Sequence, residues 1–277
     1  MNEPPPAGLE PRKTGLRRGA YLLPSLITIG NILLGFFALV SGLRGEYQFA
    51  ILLVFVAAFV DSLDGRLARV TQTDSDFGRE YDSLADVITF GVAPAFLVYS
   101  WGLQDAGRIG WLCPLFYLVC TTTRLARFNV QTRVLDKRFF VGLPAPAAAG
   151  ALGSILYYCD EIGAKGSLVR LLLLIAPVVI GILMVSTFRY WSFKELDPRR
   201  RWSFRIALPI TVVVLLLVLN PPAFFLTVSG LYALSGPLGG VLRGVLRRRG
   251  SAGVEADDAV GAQEAQPEAR PREEGLS

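Results

Sequence analysis

Histidine is absent from the 277 residues of this chain, which removes imidazole as base, nucleophile or metal ligand. Charge is scarce as well. Asp, Glu, Lys and Arg make up 18% of the residues, against about 25% in soluble proteins. The three cysteines, Cys113, Cys120 and Cys159, lie in or beside apolar segments and lack paired CxxC spacing, so neither a disulfide framework nor a zinc site is indicated. The opening residues, MNEPPPAGLEPRKTGLRRG, are too polar and proline-rich for a secretory signal, and the first apolar block reads as a retained anchor. What is abundant is apolar: 52% of residues are hydrophobic and the mean hydropathy is +0.44. They fall in blocks of about 17 to 25 residues, enough to cross a hydrocarbon core about 30 Å thick. An ordinary water-soluble enzyme is excluded.

The blocks predict an all-α, polytopic transmembrane helical bundle of about eight spans, at 22–43, 47–66, 83–101, 111–128, 142–159, 167–187, 204–219 and 222–241. Pro221 and Pro222 break the last pair strongly but leave almost no loop, so six or seven spans stay open. Positive charge in short loops stays cytoplasmic. With the N-terminus inside, only Arg44, Arg108, Lys165 and Arg170 of the 28 basic residues fall outside, which places both termini in the cytoplasm. The expected organisation is a basic cytoplasmic segment at 1–21, a transmembrane catalytic domain at 22–241 and a cytoplasmic tail at 242–277. From Ser251 that tail carries seven acids against two arginines and almost no large apolar residues, a composition that stays disordered. The basic surplus on the remainder suits anionic lipid headgroups, and nothing in it calls for nucleic acid.

Four aspartates stand out at the second and third spans. Asp61 and Asp64 are three residues apart at the cytoplasmic end of one, and Asp82 and Asp86 four apart at the start of the next. At about 100° per residue, Asp61, Asp64, Gly65 and Ala68 share one helix face, and Gly78, Asp82 and Asp86 share a stripe on the other. Antiparallel helices then set Asp61 at the depth of Asp86, and Asp64 opposite Asp82. Carboxylates so close to hydrocarbon are costly and suggest function. Four together repel strongly unless something offsets them. Magnesium or manganese, hard cations that prefer oxygen, would do so, and two such metals suit phosphoryl chemistry. Arg69 near the interface is placed to pair with a phosphate oxygen. Asp74, Asp76 and Glu80, off the stripes, read as solvated loop or surface charges.

The pattern Asp61-x2-Asp64-Gly65-x2-Ala68-Arg69-x8-Gly78-x3-Asp82-x3-Asp86 resembles, at all eight fixed positions, the signature of the CDP-alcohol phosphatidyltransferase family. A chance match has a probability on the order of 10⁻⁸ at average residue usage. The resemblance implies a six-span core, here with two further spans, and exchange of the CMP of a CDP-linked lipid for an alcohol. It implies two divalent cations, Mg2+ or Mn2+, held by Asp61, Asp64, Asp82 and Asp86, with Asp86 also the base for the incoming hydroxyl. Gly65, Ala68 and Gly78 resemble the small residues of the cytidine pocket, and Arg69 the phosphate contact. A homodimer is expected from the same resemblance.

Three further segments resemble the membrane-integral bacterial phosphatidylserine synthases. They are Pro24-Ser25-x2-Thr28-x2-Asn31 opening the first span, Arg124-Leu125-Ala126-Arg127-Phe128-Asn129 ending the fourth, and Phe140-Val141-Gly142-Leu143-Pro144-Ala145-Pro146-Ala147-Ala148-Ala149 entering the fifth. Ser25 departs from the more usual Asn. The likeness favours CDP-diacylglycerol as donor and L-serine as acceptor, in the cytoplasmic membrane with the active site facing the cytoplasm. Arg124 or Arg127 could then pair with the serine carboxylate, Asn129 could bind its polar head, and Thr28 and Asn31 could contribute to the CDP-lipid pocket. One rival keeps the fold and takes glycerol 3-phosphate or an inositol phosphate, with Arg133, Lys137 and Arg138 as the added basic cluster. A rival of another class, an ion-coupled transporter, requires acids near mid-bilayer on broken helices, whereas these lie toward a helix end.

Overall fold

A computed structural model describes residues 15–71, 76–131, 139–191 and 204–240. The expected acidic tail and the cluster Arg133, Lys137 and Arg138 lie outside them. The chain is mostly helical, with eight helices among the described residues: α1 (Gly15–Leu43), α2 (Tyr47–Thr71), α3 (76–103), α4 (Gly107–Gln131), α5 (Ala145–Glu161), α6 (Ser167–Val185), α7 (Phe204–Leu219) and α8 (Pro221–Gly240). They correspond one to one with the predicted apolar blocks. Four helical runs are long and apolar enough to cross a membrane: Leu26–Leu43, Phe77–Val130, Ser167–Val185 and Pro221–Gly240. The second of these folds back on itself at Gly107, whose φ of 61° suits a residue without Cβ.

Helix ends differ from the expectation in physically informative ways. The first helix begins at Gly15, so Pro24 lies inside it instead of opening it. Prolines are tolerated within membrane helices because neighbouring groups satisfy the freed carbonyl. At the other end, α7 and α8 are separated by Asn220 alone, whose Oδ1 accepts from the Ala223 N–H at 3.2 Å. An Asn cap followed by proline in the first turn is a strong helix start. The turn between α1 and α2 uses Gly45 at φ 79°.

The structure also contains an element that the all-helical expectation did not include. Phe139–Val141 (β1) pairs antiparallel with Arg189–Trp191 (β2). The fifth helix therefore starts at Ala145 and not at 142. Gly142, at φ 81°, donates its N–H to the Phe188 carbonyl at 2.8 Å, and a Cβ there would collide with the Met184 carbonyl.

Small residues fill the contact between α2 and α5. On α5, Ala145, Ala148, Ala149, Ala151, Gly153 and Ser154 are buried, and α2 packs against it with Ile51 and Phe55 near Gly153. Small residues let helix backbones approach where no hydrophobic effect drives them together. The large side chains of α1 and α7, such as Phe36, Phe37, Leu215 and Val218, are exposed, as a hydrocarbon solvent permits.

Helix α3 is not uniformly α-helical. It runs as α over Asp76–Asp86, as π over Val87–Val92, as α over Ala93–Val98 and as π over Tyr99–Leu103. In the first π turn the Ala93 N–H reaches back five residues to Ile88. Such turns often occur at functional sites, and this one begins one residue after Asp86.

Candidate functional site

Helix α2 carries Asp61 near its C-terminal end, and α3 carries Asp82 and Asp86 one turn apart. A carboxylate oxygen from each lies within 4.8 Å of the others. Asp86 is buried at 8% exposure, Asp61 and Asp82 are half-buried. At that separation each pair of charges repels by about 3 kcal/mol at an effective dielectric near 20. Asp82 Oδ1 is buried with no hydrogen-bond partner among the described residues. Three oxygen donors converging on one point, with a buried lone pair to spare, fit a hard divalent cation.

The buried Arg124 guanidinium, on α4, is within electrostatic reach of Asp86 and Asp61. The guanidinium also lies over the Phe128 ring, whose centroid is 5.5 Å from Cζ. Arg79, on α3 before Asp82, is exposed, where water and salt screen its charge.

Helix α1 packs against α3 where α3 carries Asp86. Thr28 and Asn31 are buried on it at 5% and 0% exposure. The Thr89 hydroxyl, one turn beyond Asp86, donates to the Asn31 carbonyl at 3.0 Å. Both polar atoms of the Asn31 amide are buried without a hydrogen-bond partner among the described residues. The contact is close because Gly35 has no side chain: a Cβ there would lie 2.6 Å from Thr89 Oγ1.

The structure thus brings together Asp61, Asp82, Asp86 and Arg124, with Gly78 one turn before Asp82 and Thr28 and Asn31 on the adjoining helix. The side chains of Asp64 and Arg69, and the surroundings of Gly65 and Ala68, lie outside the described residues; all four belong to the α2 backbone. Arg127 and Asn129 have other attachments. Arg127 Nη1 donates to the Val185 carbonyl at the end of α6, 3.2 Å away. Asn129 Nδ2 donates to Ser83 Oγ at 3.0 Å and to Glu80 Oε2 at 3.2 Å, tying the end of α4 to the start of α3. Glu80 is exposed, as expected of a surface charge, yet it has this partner.

Sequence reasoning missed Thr89, Ser83 and Tyr232. The first two lie on the helix of Asp82 and Asp86: Ser83 falls between those acids, and a helical wheel extended past Asp86 would have found Thr89. Tyr232, on α8, is within electrostatic reach of Arg124. No local pattern signals it, because α4 and α8 are far apart in the sequence.

Comparison with known proteins agrees with this arrangement. A sequence model of the CDP-alcohol phosphatidyltransferase family matches residues 21–183. A Helicobacter pylori protein named CDP-diacylglycerol–serine O-phosphatidyltransferase is 35% identical over 216 residues, covering 78% of this chain and 90% of that one. Proteins of the same name from Bacillus subtilis and Methanocaldococcus jannaschii are similar too. The first is 38% identical over 173 residues, covering 62% of this chain and 92% of that one. The second is 32% identical over 210 residues, covering 76% and 90%. The matched stretch contains every aspartate of the cluster and the helices that hold them, and the chain belongs to the CDP-alcohol phosphatidyltransferase family.

Proposed function

We propose that the protein is a membrane enzyme that transfers the phosphatidyl group of CDP-diacylglycerol to L-serine, giving phosphatidylserine and CMP. The observation that carries this reading is the meeting of Asp61, Asp82 and Asp86 beside the buried Arg124. The serine oxygen forms a bond to the lipid-linked phosphorus while the bond from that phosphorus to the CMP oxygen breaks. The serine hydroxyl proton passes to a carboxylate oxygen of Asp86, the acid deepest in the protein of the three described. Two divalent cations, Mg2+ or Mn2+, held by Asp61, Asp64, Asp82 and Asp86, would neutralise the diphosphate and stabilise departing CMP. Arg69 pairs with a phosphate oxygen, and Gly65, Ala68, Gly78, Thr28 and Asn31 line the CDP-lipid pocket. Arg124 receives the serine carboxylate, a pairing of planar groups worth more in a buried site than at a surface. Arg127 and Asn129 brace the acceptor side through α6 and α3.

The same reading puts residues 22–241 in the cytoplasmic membrane as the catalytic domain, with 1–21 and 242–277 and the active site on the cytoplasmic side. It takes a homodimer in contact with membrane lipids as the working form. The test offers purified protein CDP-diacylglycerol and Mg2+ or Mn2+ with serine, glycerol 3-phosphate or inositol phosphate in parallel, and follows CMP. Release that depends on serine is expected. Release that depends instead on a phosphorylated acceptor would transfer the reading to the rival of the same family.

A further inference from the structure

Hydroxyls on the helices of this protein commonly donate to a carbonyl of their own helix four residues earlier. Ser62, Thr121, Thr123 and Thr227 all do so, a usual arrangement for Ser and Thr inside a helix. Thr89 does not follow them. Its hydroxyl crosses to α1 and donates to the Asn31 carbonyl at 3.0 Å, and both residues are fully buried. The two backbones are close at that point: a Cβ on Gly35, one turn after Asn31, would lie 2.9 Å from the Thr89 Cα. From α4, the Tyr117 hydroxyl holds the neighbouring Phe90 carbonyl, and a Cβ on Gly91 would meet Leu118 Cδ1 at 2.9 Å. The π turn of Val87–Val92 is thus gripped by two helices.

Asp86 stands one residue before this turn, and a carboxylate oxygen of Asp61 on α2 lies within 4.8 Å of one of its own. Like charges at that distance push α2 and α3 apart. A cation such as Mg2+, in contrast, accepts oxygens only in a near-octahedral shell at about 2.0–2.1 Å. The acids must therefore be held together against their own repulsion. Helix α1 packs against both α2 and the π turn, so a bond from α3 to α1 fixes the acids of α3 relative to Asp61. The Thr89 hydroxyl makes such a bond three residues after Asp86.

We propose that Thr89 is a positioning residue for the metal centre: its bond to the Asn31 carbonyl fastens the turn after Asp86 to α1 and so holds the Asp82 and Asp86 carboxylates at cation-binding distance from Asp61. It acts through the backbone of α3 and not as a ligand. This deepens the proposed function and rests on the part of it that gives the acids a divalent cation.

The experiment uses the full-length protein, purified in detergent and stripped of metal, titrated with Mn2+ alone while free Mn2+ is read by electron paramagnetic resonance. Thr89→Val keeps the branched shape and removes the donor. Its dissociation constant for Mn2+ should rise about tenfold, the lower end of what loss of an outer support costs a metal site. Thr89→Ser keeps the hydroxyl and should stay within about threefold of wild type. Trp101→Phe loses a hydrogen bond at the other end of α3 and should bind Mn2+ as wild type does, which separates positioning from a general loss of stability. If Thr89→Val does not fold, Thr89→Ala, which lacks the donor and sets no methyl group beside the Asn31 carbonyl, carries the same expectation. Wild-type affinity in a folded variant without the donor overturns the inference alone. So does a Thr89→Ser protein as weak as Thr89→Val, or equal weakening in Trp101→Phe. A wild-type protein that binds no Mn2+ overturns the metal reading of the acids, and the inference falls with it. One that binds Mn2+ and releases no CMP with serine overturns the proposed transfer, and the Mn2+ affinities of the variants still decide the role of Thr89.

Discussion

The Tyr117 hydroxyl donates to the Phe90 carbonyl across 2.8 Å, inside the protein, from α4 to the first π turn of α3. The reason lies four residues along: Pro94 has no N–H to return to that carbonyl. Proline leaves an orphan acceptor in the core, and a tyrosine from the antiparallel helix supplies the donor. Tyr117→Phe should therefore destabilise the protein by about 1–3 kcal/mol, the cost of an unsatisfied buried polar group. A fall in melting temperature, with the serine KM preserved, is the expected result. A melting temperature equal to wild type would show that the Phe90 carbonyl finds its partner elsewhere.

Gly35 tests how closely α1 must approach the site. A methyl group there would lie 2.6 Å from Thr89 Oγ1 and 2.9 Å from Thr89 Cα, the second of them backbone. Gly42, two turns on, would meet the Leu97 side chain, with Phe96 next at 3.8 Å, and a leucine can change rotamer. Gly35→Ala should displace Thr28 and Asn31 from the turn that holds Asp86 and reduce CMP release at least tenfold, since small misplacements near reacting groups cost large factors. Gly42→Ala should reduce it less than about threefold. The two rates, measured side by side, decide whether α1 is an arm of the site or only its cover.

Much of this arrangement is legible in the sequence, for a physical reason. The acids at 61, 82 and 86 stand on apolar helices, where each charge is costly and helical periodicity fixes its face. Their spacing alone was enough to set Asp61 beside Asp86. The helices α1 to α8 follow from apolar length. The π turn after Asp86 does not, because it depends on Pro94 and on Tyr117 arriving from another helix. The ribbon of Phe139–Val141 and Arg189–Trp191 joins residues about fifty apart and carries no hairpin signal between its strands. The electrostatic reach of Tyr232 to Arg124 is the same kind of fact, set by packing and unreadable from either segment.

At the far end of α3 from the acids, Trp101 Nε1 donates to Asp160 Oδ1 at 2.7 Å, and one residue further along α5 Glu161 Oε2 accepts from Gln48 Nε2 at 2.9 Å. These bonds tie α3 and α2 to the end of α5 and touch nothing in the site. Trp101→Phe should lower stability by about 1–3 kcal/mol, as loss of a hydrogen bond to a charged acceptor does. The rate at saturating substrate should be unchanged below the new melting temperature. A drop in that rate without a drop in stability would show that the two ends of the bundle are coupled.

The acid cluster makes a prediction in which stability and activity move in opposite directions. With three carboxylates within 4.8 Å, the metal-free protein carries repulsion that a bound cation removes, so Mg2+ or Mn2+ should raise the melting temperature. At a concentration about a hundredfold above the dissociation constant the gain is roughly 2.7 kcal/mol, and a chelator should abolish it. Asp82→Asn deletes one charge, and the amide brings a donor that can reach Asp61 or Asp86. In chelator this variant should melt no lower than wild type, because the lost repulsion offsets the lost carboxylate. In metal it should gain less than wild type and turn over at least a hundredfold more slowly. Asp86→Asn should lose turnover to a similar degree while keeping the fold. If Asp82→Asn kept both the metal-induced shift and the rate, the cluster would not be the metal centre, and the charge at position 82 would need another explanation.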